Sequence, residues 1–489
     1  MNLFELVEAT ARRQPGSPAI TDLKGGGRLS YAELHDESVR VAEFLRGQGI
    51  EAGQRVGLLA GNGLAYVPAA FGILAAGACL TPLAPGLAVP EVRTLLDDIR
   101  VNACLAWPAP SAVQEPLGPA SARLTDGACA GYTFHWTARD RAAPEGFASL
   151  NPAFIRFTSG TTAACKGVIL SHEATWARAE AATRVLALGP EDRVLWVLPL
   201  AYHFAATLTS YVAAGAHVVL CPDGLPGTVA RALHSEDATL VYASPLHFQR
   251  LASVGSPSGR PAHLRVAIST TTALPAEVAR RFEEAWGLPL GQAYGIIEAG
   301  LPCINTRADG MGPGAVGRAV PGYEVAVQDD AGRALRPGEP GEVVVRGPGL
   351  FSGYYCPWRS LESVLESGFF RTDDVGVLDD SGALTLLGRR NSVIVVAGLK
   401  LFPEEVEEVL NRHPSVGESR VFGRPHAHLG EVPCAEVVLA DGAVLDADAL
   451  RSYCARALTA FMVPAEFRAV AGLPRTAGGK LLRTRGDER

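Results

Sequence analysis

Residues Thr158-Ser159-Gly160-Thr161-Thr162-Ala163-Ala164-Cys165-Lys166-Gly167 form a short, hydroxyl-rich loop that closes on a lysine. Of 44 basic residues in the 489-residue chain only four are lysines, Lys24, Lys166, Lys400 and Lys480. A chain that uses arginine almost everywhere else keeps a compact ammonium at few places. Such a point charge can sit close to a phosphate, where arginine's fork imposes its own geometry. The pattern predicts a cradle for nucleotide phosphates. The hydroxyls of Thr158, Ser159, Thr161 and Thr162 and the amides around Gly160 and Gly167 would hold the oxygens, with Lys166 beside them. The Gly-x-x-x-x-Gly-Lys-Ser/Thr spacing of a P-loop is absent, so the grip must come from a different loop geometry. Lys480 ends a second glycine-rich segment, Pro474-Arg475-Thr476-Ala477-Gly478-Gly479-Lys480.

The frame around these loops is a large globular one. With 48% hydrophobic residues the chain can bury a sizeable core and should divide into two or more domains. The net charge of -7, with both signs intermixed, offers no basic stripe to follow a nucleic acid, so no such partner is expected. Nine scattered cysteines, odd in number and without a Cys-x-x-Cys pair, indicate neither a disulfide framework nor a zinc site. That usage fits a reducing cytoplasm. The start, Met1-Asn2-Leu3-Phe4-Glu5, lacks the basic lead and apolar run of a secretory signal.

Val56 to Pro90 carries no charge, yet Gly61-Asn62-Gly63, Pro68, Gly72 and Gly77 divide it into a strand (56–60), a turn, a buried helix and a strand (79–83). This predicts a β-α-β unit covered on both faces rather than a membrane span. Leu34, Ser38, Val41 and Leu45 form one apolar stripe on a helix over 31–46. Strands at 217–221, 239–243 and 264–269 alternate with helical stretches, which argues for parallel sheets in an α/β architecture. Residues 107–148 read as mostly surface connection. From Glu324 closely spaced strands (324–328, 342–346, 383–387) predict a small β-rich subdomain, and the last hundred residues mix strands (393–396, 432–439) with helices (403–412, 446–458). Pro403 suits a first helical position, and Glu404 and Glu405 suit the positive end of the dipole.

The loop 158–167, Leu198-Pro199-Leu200-Ala201-Tyr202-His203, Gln292-Ala293-Tyr294-Gly295-Ile296-Ile297-Glu298, Arg371-Thr372-Asp373-Asp374, Gly388-Arg389 and the segment ending at Lys480 occur in the order and spacing of one family. The whole chain resembles the adenylate-forming superfamily of acyl-CoA synthetases, luciferases and peptide-synthetase adenylation domains, nearest in kind to a stand-alone acyl-CoA or aryl-CoA ligase. The resemblance implies an α/β fold. A large N-terminal nucleotide- and acyl-binding domain (1–388) would hold two α/β sheet subdomains and the β-rich one. A small mobile α+β C-terminal domain (389–489) would turn about a hinge at 388–392.

The resemblance also implies the chemistry. A carboxylate attacks the α-phosphate of ATP, pyrophosphate leaves, and a thiol attacks the acyl-adenylate. Two anions must meet, and two unit charges about 4 Å apart repel by roughly 4 kcal/mol at an effective dielectric near 20, so cations must offset that repulsion. Lys480 resembles the lysine that bridges carboxylate and α-phosphate. Tyr294 and Gly295 resemble the adenine-stacking segment, Asp374 and Arg389 the ribose contacts, and Glu298 with Thr161 the magnesium ligands. His203 resembles the residue at the mouth of the acyl pocket. Gly398 and Lys400 fall on the segment that lines the pantetheine tunnel, where a side chain at 398 would obstruct the thiol. ATP, Mg2+ and CoA are the implied co-reactants.

Three residues depart from the family pattern. Ile297 replaces a threonine in Tyr-Gly-x-Thr-Glu, Asp373 replaces the glycine of Thr-Gly-Asp, and Ser392 replaces the hinge aspartate. A hydrogen bond to a charged group is worth about 1.5 to 3 kcal/mol, so losing the hydroxyl at 297 slows adenylation on the order of 10 to 100-fold. The expectation is an acyl-CoA ligase weak in its first half-reaction and able to use a supplied acyl-adenylate. No aspartate follows Leu198-Pro199-Leu200 to hold an ammonium, which favours a small carboxylic acid that is not an amino acid. Ser269-Thr270-Thr271-Thr272-Ala273 stands in a stretch the family keeps rich in Gly and Ala. Two alternatives stay open: an enzyme that loads a separate carrier protein or forms an amide, and a non-catalytic acyl-adenylate binder. No carrier domain is attached, which favours free CoA, and no membrane partner is expected.

Overall fold

The computed structural model describes the chain apart from residues 108–114, 139–140, 159–165, 309, 313, 398, 427, 476–480 and 482–489. The chain folds as two compact units, one of residues 1–324 and 345–370, the other of 325–344 and 371–489.

The first unit holds two nine-stranded sheets. One runs, in spatial order, through Arg318–Ala319, Gly300–Asn305, Leu290–Ile296, Val266–Ser269, Leu240–Ala243, Arg193–Trp196, His217–Leu220, Pro18–Asp22 and Arg28–Ser30. Its central strands pair in parallel and are buried along their length, as the uninterrupted Val-Leu-Ile runs require. The other runs through Arg359–Ser360, Gly353–Tyr354, Lys166–Ser171, Pro152–Thr158, Cys79–Leu83, Arg55–Leu59, Ala103–Ala106, Thr133–Trp136 and Ala122–Arg123. The chargeless stretch is the expected β-α-β unit, with strand Cys79–Leu83 parallel to Arg55–Leu59 and helix Tyr66–Ala75 between them in sequence.

Pro68 and Gly72 do not break that helix. Pro68 lies in its first turn, where a missing N–H costs nothing. A Cβ on Gly72 would come within 2.5 Å of Val41 Cβ, so Gly72 is where this helix meets helix Tyr31–Gly47. Ser30 caps the latter in a reciprocal box with Glu33, and Leu34, Ser38, Val41 and Leu45 are all fully buried.

Residues 107–148 are more than connection. Thr133–Trp136 pairs antiparallel with Ala103–Ala106 and buries Phe134 and His135, a strand too short to show a period in sequence. The eight described cysteines are free thiols, and burial pushes Cys104 up to about 12.

In the second unit, strands Glu324–Gln328, Gly341–Arg346, Phe369–Leu378 and Leu384–Arg389 form the β-rich part. Strands Leu399–Leu401, Ile394–Val396, Gly430–Leu439, Val416–His426 and Glu466–Ala469 form a further sheet. Helices Pro403–Leu410 and Ala447–Ala457 supply Val406, Leu410, Leu450 and Cys454 to one core with Val421, Ala435 and Val437 of that sheet. Pro403 opens its helix, with Glu404 and Glu405 in the first turn. Among the described residues no helix is long and apolar enough to cross a membrane.

Candidate active site

Strands Pro152–Thr158 and Lys166–Ser171 form an antiparallel hairpin in which Thr158 pairs with Lys166. Ser159, Gly160, Thr161 and Thr162 lie outside the described residues, as do the side chains of Thr158 and Lys166. Gly167 has a packing reason to be glycine: a Cβ would lie 2.5 Å from Ile99 Cδ1, and its carbonyl accepts the Tyr355 N–H at 2.7 Å.

Strand Leu290–Ile296 delivers Tyr294, Gly295 and then the turn that carries Glu298. Tyr294 is 5% exposed and pairs with Cys303 on the neighbouring strand. The register shifts between Tyr294 and Ile296, and a Cβ on Gly295 would come within 2.7 Å of the Gly300 carbonyl, so only glycine fits this close approach. The carbonyls of the turn are all held. Arg178 Nη1 donates to Ile297 O at 2.9 Å and Nη2 to Glu298 O at 2.8 Å, the Phe351 N–H donates to Glu298 O at 2.7 Å, and Tyr323 donates to Ala299 O at 2.7 Å. Arg178 also donates through Nε to Gly349 O at 2.5 Å. It is 4% exposed, and burial lowers its pKa.

Tyr354 donates to Glu298 Oε1 at 3.1 Å. Among the described residues no three His, Cys, Asp or Glu side chains cluster as a metal site. A magnesium ion held here would rest on Glu298 and phosphate oxygens, a donor set that magnesium commonly takes.

The segment Leu198 to His203 is fastened by a residue whose role the sequence did not suggest. Asn62 donates to Leu198 O and accepts from the Leu200 N–H, both at 2.8 Å. His203 ends the short helix Leu200–His203, and the chain continues as a π-helical turn, Phe204–Leu208. Such turns appear frequently at functional sites. In the stretch 269–273, Ser269 Oγ is buried without a partner, Tyr242 donates to Thr270 Oγ1 at 2.9 Å, and Thr271 has φ +78°. A β-branched residue in the left-handed region is strained.

In the second unit, Asp374 and Arg389 face each other across paired strands, and Arg389 Nε donates to Asp374 Oδ1 at 2.8 Å. The Thr372 hydroxyl donates to Val343 O at 2.7 Å and accepts the Asp374 N–H at 3.1 Å. Asp373 between them is exposed with φ +60°, a conformation that Asp tolerates better than most residues. Beyond Gly388, Ser392 donates to Arg389 O at 2.9 Å, and Arg390 bridges Glu342 and Asp330 at 2.6 and 2.8 Å. Val396 pairs with Leu399 in an antiparallel ladder, and Ala397 has φ +50°. Gly398, the Lys400 side chain and Lys480 lie outside the described residues.

Family models for an AMP-binding enzyme and for an AMP-binding enzyme C-terminal domain match residues 7–355 and 405–480. The chain is 32% identical over 485 residues to a feruloyl-CoA synthase of an Amycolatopsis species, covering 96% of each. It is similar in structure to the o-succinylbenzoate CoA synthetase of Bacillus subtilis in complex with its acyl-adenylate intermediate, with a TM-score of 0.85, 25% identity and coverage of 100% and 99% of the two chains. It is similar also to an amide bond synthetase of Marinactinospora thermotolerans, with a TM-score of 0.83, 29% identity and 98% of each chain covered.

Proposed function

The chain belongs to the AMP-binding enzyme family, and from that premise we propose that it converts a non-amino-acid carboxylic acid to its CoA thioester through an acyl-adenylate that it forms slowly. Its class is that of an AMP-forming acid–thiol ligase, acting on acyl or aryl acids with ATP and CoA. Individual residues take distinct roles. Thr158, Ser159, Gly160, Thr161, Thr162, Lys166 and Gly167 hold the phosphates. Tyr294 and Gly295 take the adenine, Asp374 and Arg389 the ribose, and His203 borders the acid. Glu298, with Thr161, would hold Mg2+, which would supply positive charge at the phosphates.

Lys480 brings the carboxylate to the α-phosphate. After adenylation the part beyond the 388–392 hinge turns and presents Gly398 and Lys400 to the thiol. A reducing cytoplasm remains the compartment that the cysteine usage suggests.

One observation carries the slow first step. The Glu298 turn is held at three successive carbonyls, so its geometry is built, yet residue 297 brings no hydroxyl. Asp373 adds less to the deficit than its charge suggests, because it is exposed and water screens it. The alternative in which an amine replaces CoA draws support from the likeness to an amide bond synthetase. A panel of acids incubated with ATP, magnesium and either CoA or an amine, read by mass spectrometry, tests both. CoA thioesters are expected, and amides alone would reverse the choice. No product with either acceptor, from ATP or from synthetic acyl-adenylates, would leave only a binder.

A further inference from the structure

We propose that Arg156, with the hydroxyls of Tyr66 and Tyr202, forms an oxyanion subsite near Glu298 that takes a phosphate oxygen of the nucleotide or the carboxylate of the acid. The ligand classes rest on the ligase reading above; the site itself rests on placement. In strand Pro152–Thr158 side chains alternate, so Phe154 and Arg156 share one face while Ile155 joins the opposite core with Ile99 and Ile169. The Phe154 and Tyr66 rings both pack on Phe204, with centroids 6.1 and 6.0 Å away, and Phe204 directly follows Tyr202 and His203. One pleat beyond Phe154, roughly 7 Å along the strand, Arg156 comes beside that group and one pleat before the phosphate loop.

The electrostatics agree from both sides. The charge of Arg156 interacts with Tyr66, Tyr202 and Glu298, and both tyrosines feel Arg156 in return. Burial, reinforced by Arg178, brings the guanidinium down to about 10, which leaves it a cation at neutral pH. Yet Arg156 has no hydrogen bond or ion pair among the described residues, although it is only half-buried and carries five donors. The Tyr66 hydroxyl, on a residue 1% exposed, is likewise without a partner. A buried hydroxyl is normally satisfied, so the unpartnered Tyr66 hydroxyl, together with a half-exposed cation that has no acceptor among the described residues, suits a ligand that brings oxygen lone pairs.

The full-length enzyme with Arg156→Met, Arg156→Lys or Tyr66→Phe tests this, using calorimetric titration with MgATP and with AMP, and the acid dependence of thioester formation for the best acid of the panel. If the nucleotide is the source, Arg156→Met weakens MgATP at least 10-fold and AMP less than 2-fold. If the acid is the source, both nucleotides bind as before and the KM for the acid rises at least 10-fold. Arg156→Lys recovers part of either loss, and Tyr66→Phe, which keeps the ring against Phe204, gives a smaller loss of the same kind. Unchanged MgATP affinity without a rise in acid KM would overturn the subsite. So would an equal weakening of MgATP and AMP with a lowered Tm, the mark of a structural cation. Thioester from synthetic acyl-adenylate and CoA with the wild-type enzyme separates these outcomes from a failure of the ligase reading.

Discussion

The turns that carry Glu298 and Asp374 hold their carboxylates by opposite means. Around Glu298, successive carbonyls are gripped by groups far away in sequence, chiefly the buried guanidinium of Arg178, whereas Asp374 is set by its neighbour Thr372 and by Arg389 on the adjoining strand. The first arrangement depends on the whole first unit being packed. The second is local and partly open to water, since the Arg389 side chain is 52% exposed. The Glu298 turn should lose its geometry when Arg178 goes, and the second unit should lose little stability when Arg389 goes.

The largest effect should follow Arg178→Met, which strands the carbonyls of Ile297 and Gly349 and leaves Glu298 O with the Phe351 N–H alone; we expect a loss of roughly 3 to 5 kcal/mol in denaturant unfolding and of activity with it. Wild-type stability with full activity would show that the turn needs no remote anchor.

Acid should weaken the same arrangement. The helix that bears Arg178 begins at His172, whose Nδ1 accepts the Leu3 N–H at 2.9 Å, and burial lowers its pKa to about 4. A histidine that stays neutral when folded stabilises the fold above its unfolded value near 6.5, and that contribution disappears as pH falls through about 4. We expect a loss on the order of 2 to 3 kcal/mol across that window. His217, lowered to about 4 by burial, adds a similar slope, so His172→Asn should remove about half of the total. Stability that is flat between pH 6.5 and 4 would contradict this.

Ile297→Thr restores a hydroxyl to the Glu298 turn. It should speed ATP–pyrophosphate exchange by about 10 to 100-fold with little change in thioester formation from a supplied adenylate. Thr271→Gly, at a left-handed position, should stabilise by about 1 kcal/mol. Last, Arg389→Ala should change stability by less than about 1 kcal/mol while weakening AMP binding, measured by calorimetry.

Much of the fold was legible because its signals are local. The chargeless 56–90 stretch could be read as a covered β-α-β unit, and Pro403 with two following glutamates marked a helix start. Pro68 and Gly72 misled as dividers because their tolerance comes from helix position and from packing on Val41, which sequence does not display. Strand Thr133–Trp136 was too short to declare itself. In the site, loop composition, Glu298, Asp374 and Arg389 stood out by type and order. Arg178 and Asn62 did not, because each acts through partners brought together only by folding, and an arginine in an alanine-rich helix looks like any solvated charge.

In the proposed ligase the thiol step outruns adenylation. Single-turnover thioester formation with one acid, started in parallel from ATP plus acid and from the synthetic acyl-adenylate, measures the two directly. We expect product from both, with the adenylate route about 10 to 100-fold faster. Equal rates would contradict the slow first step, and thioester from neither would contradict the ligase itself.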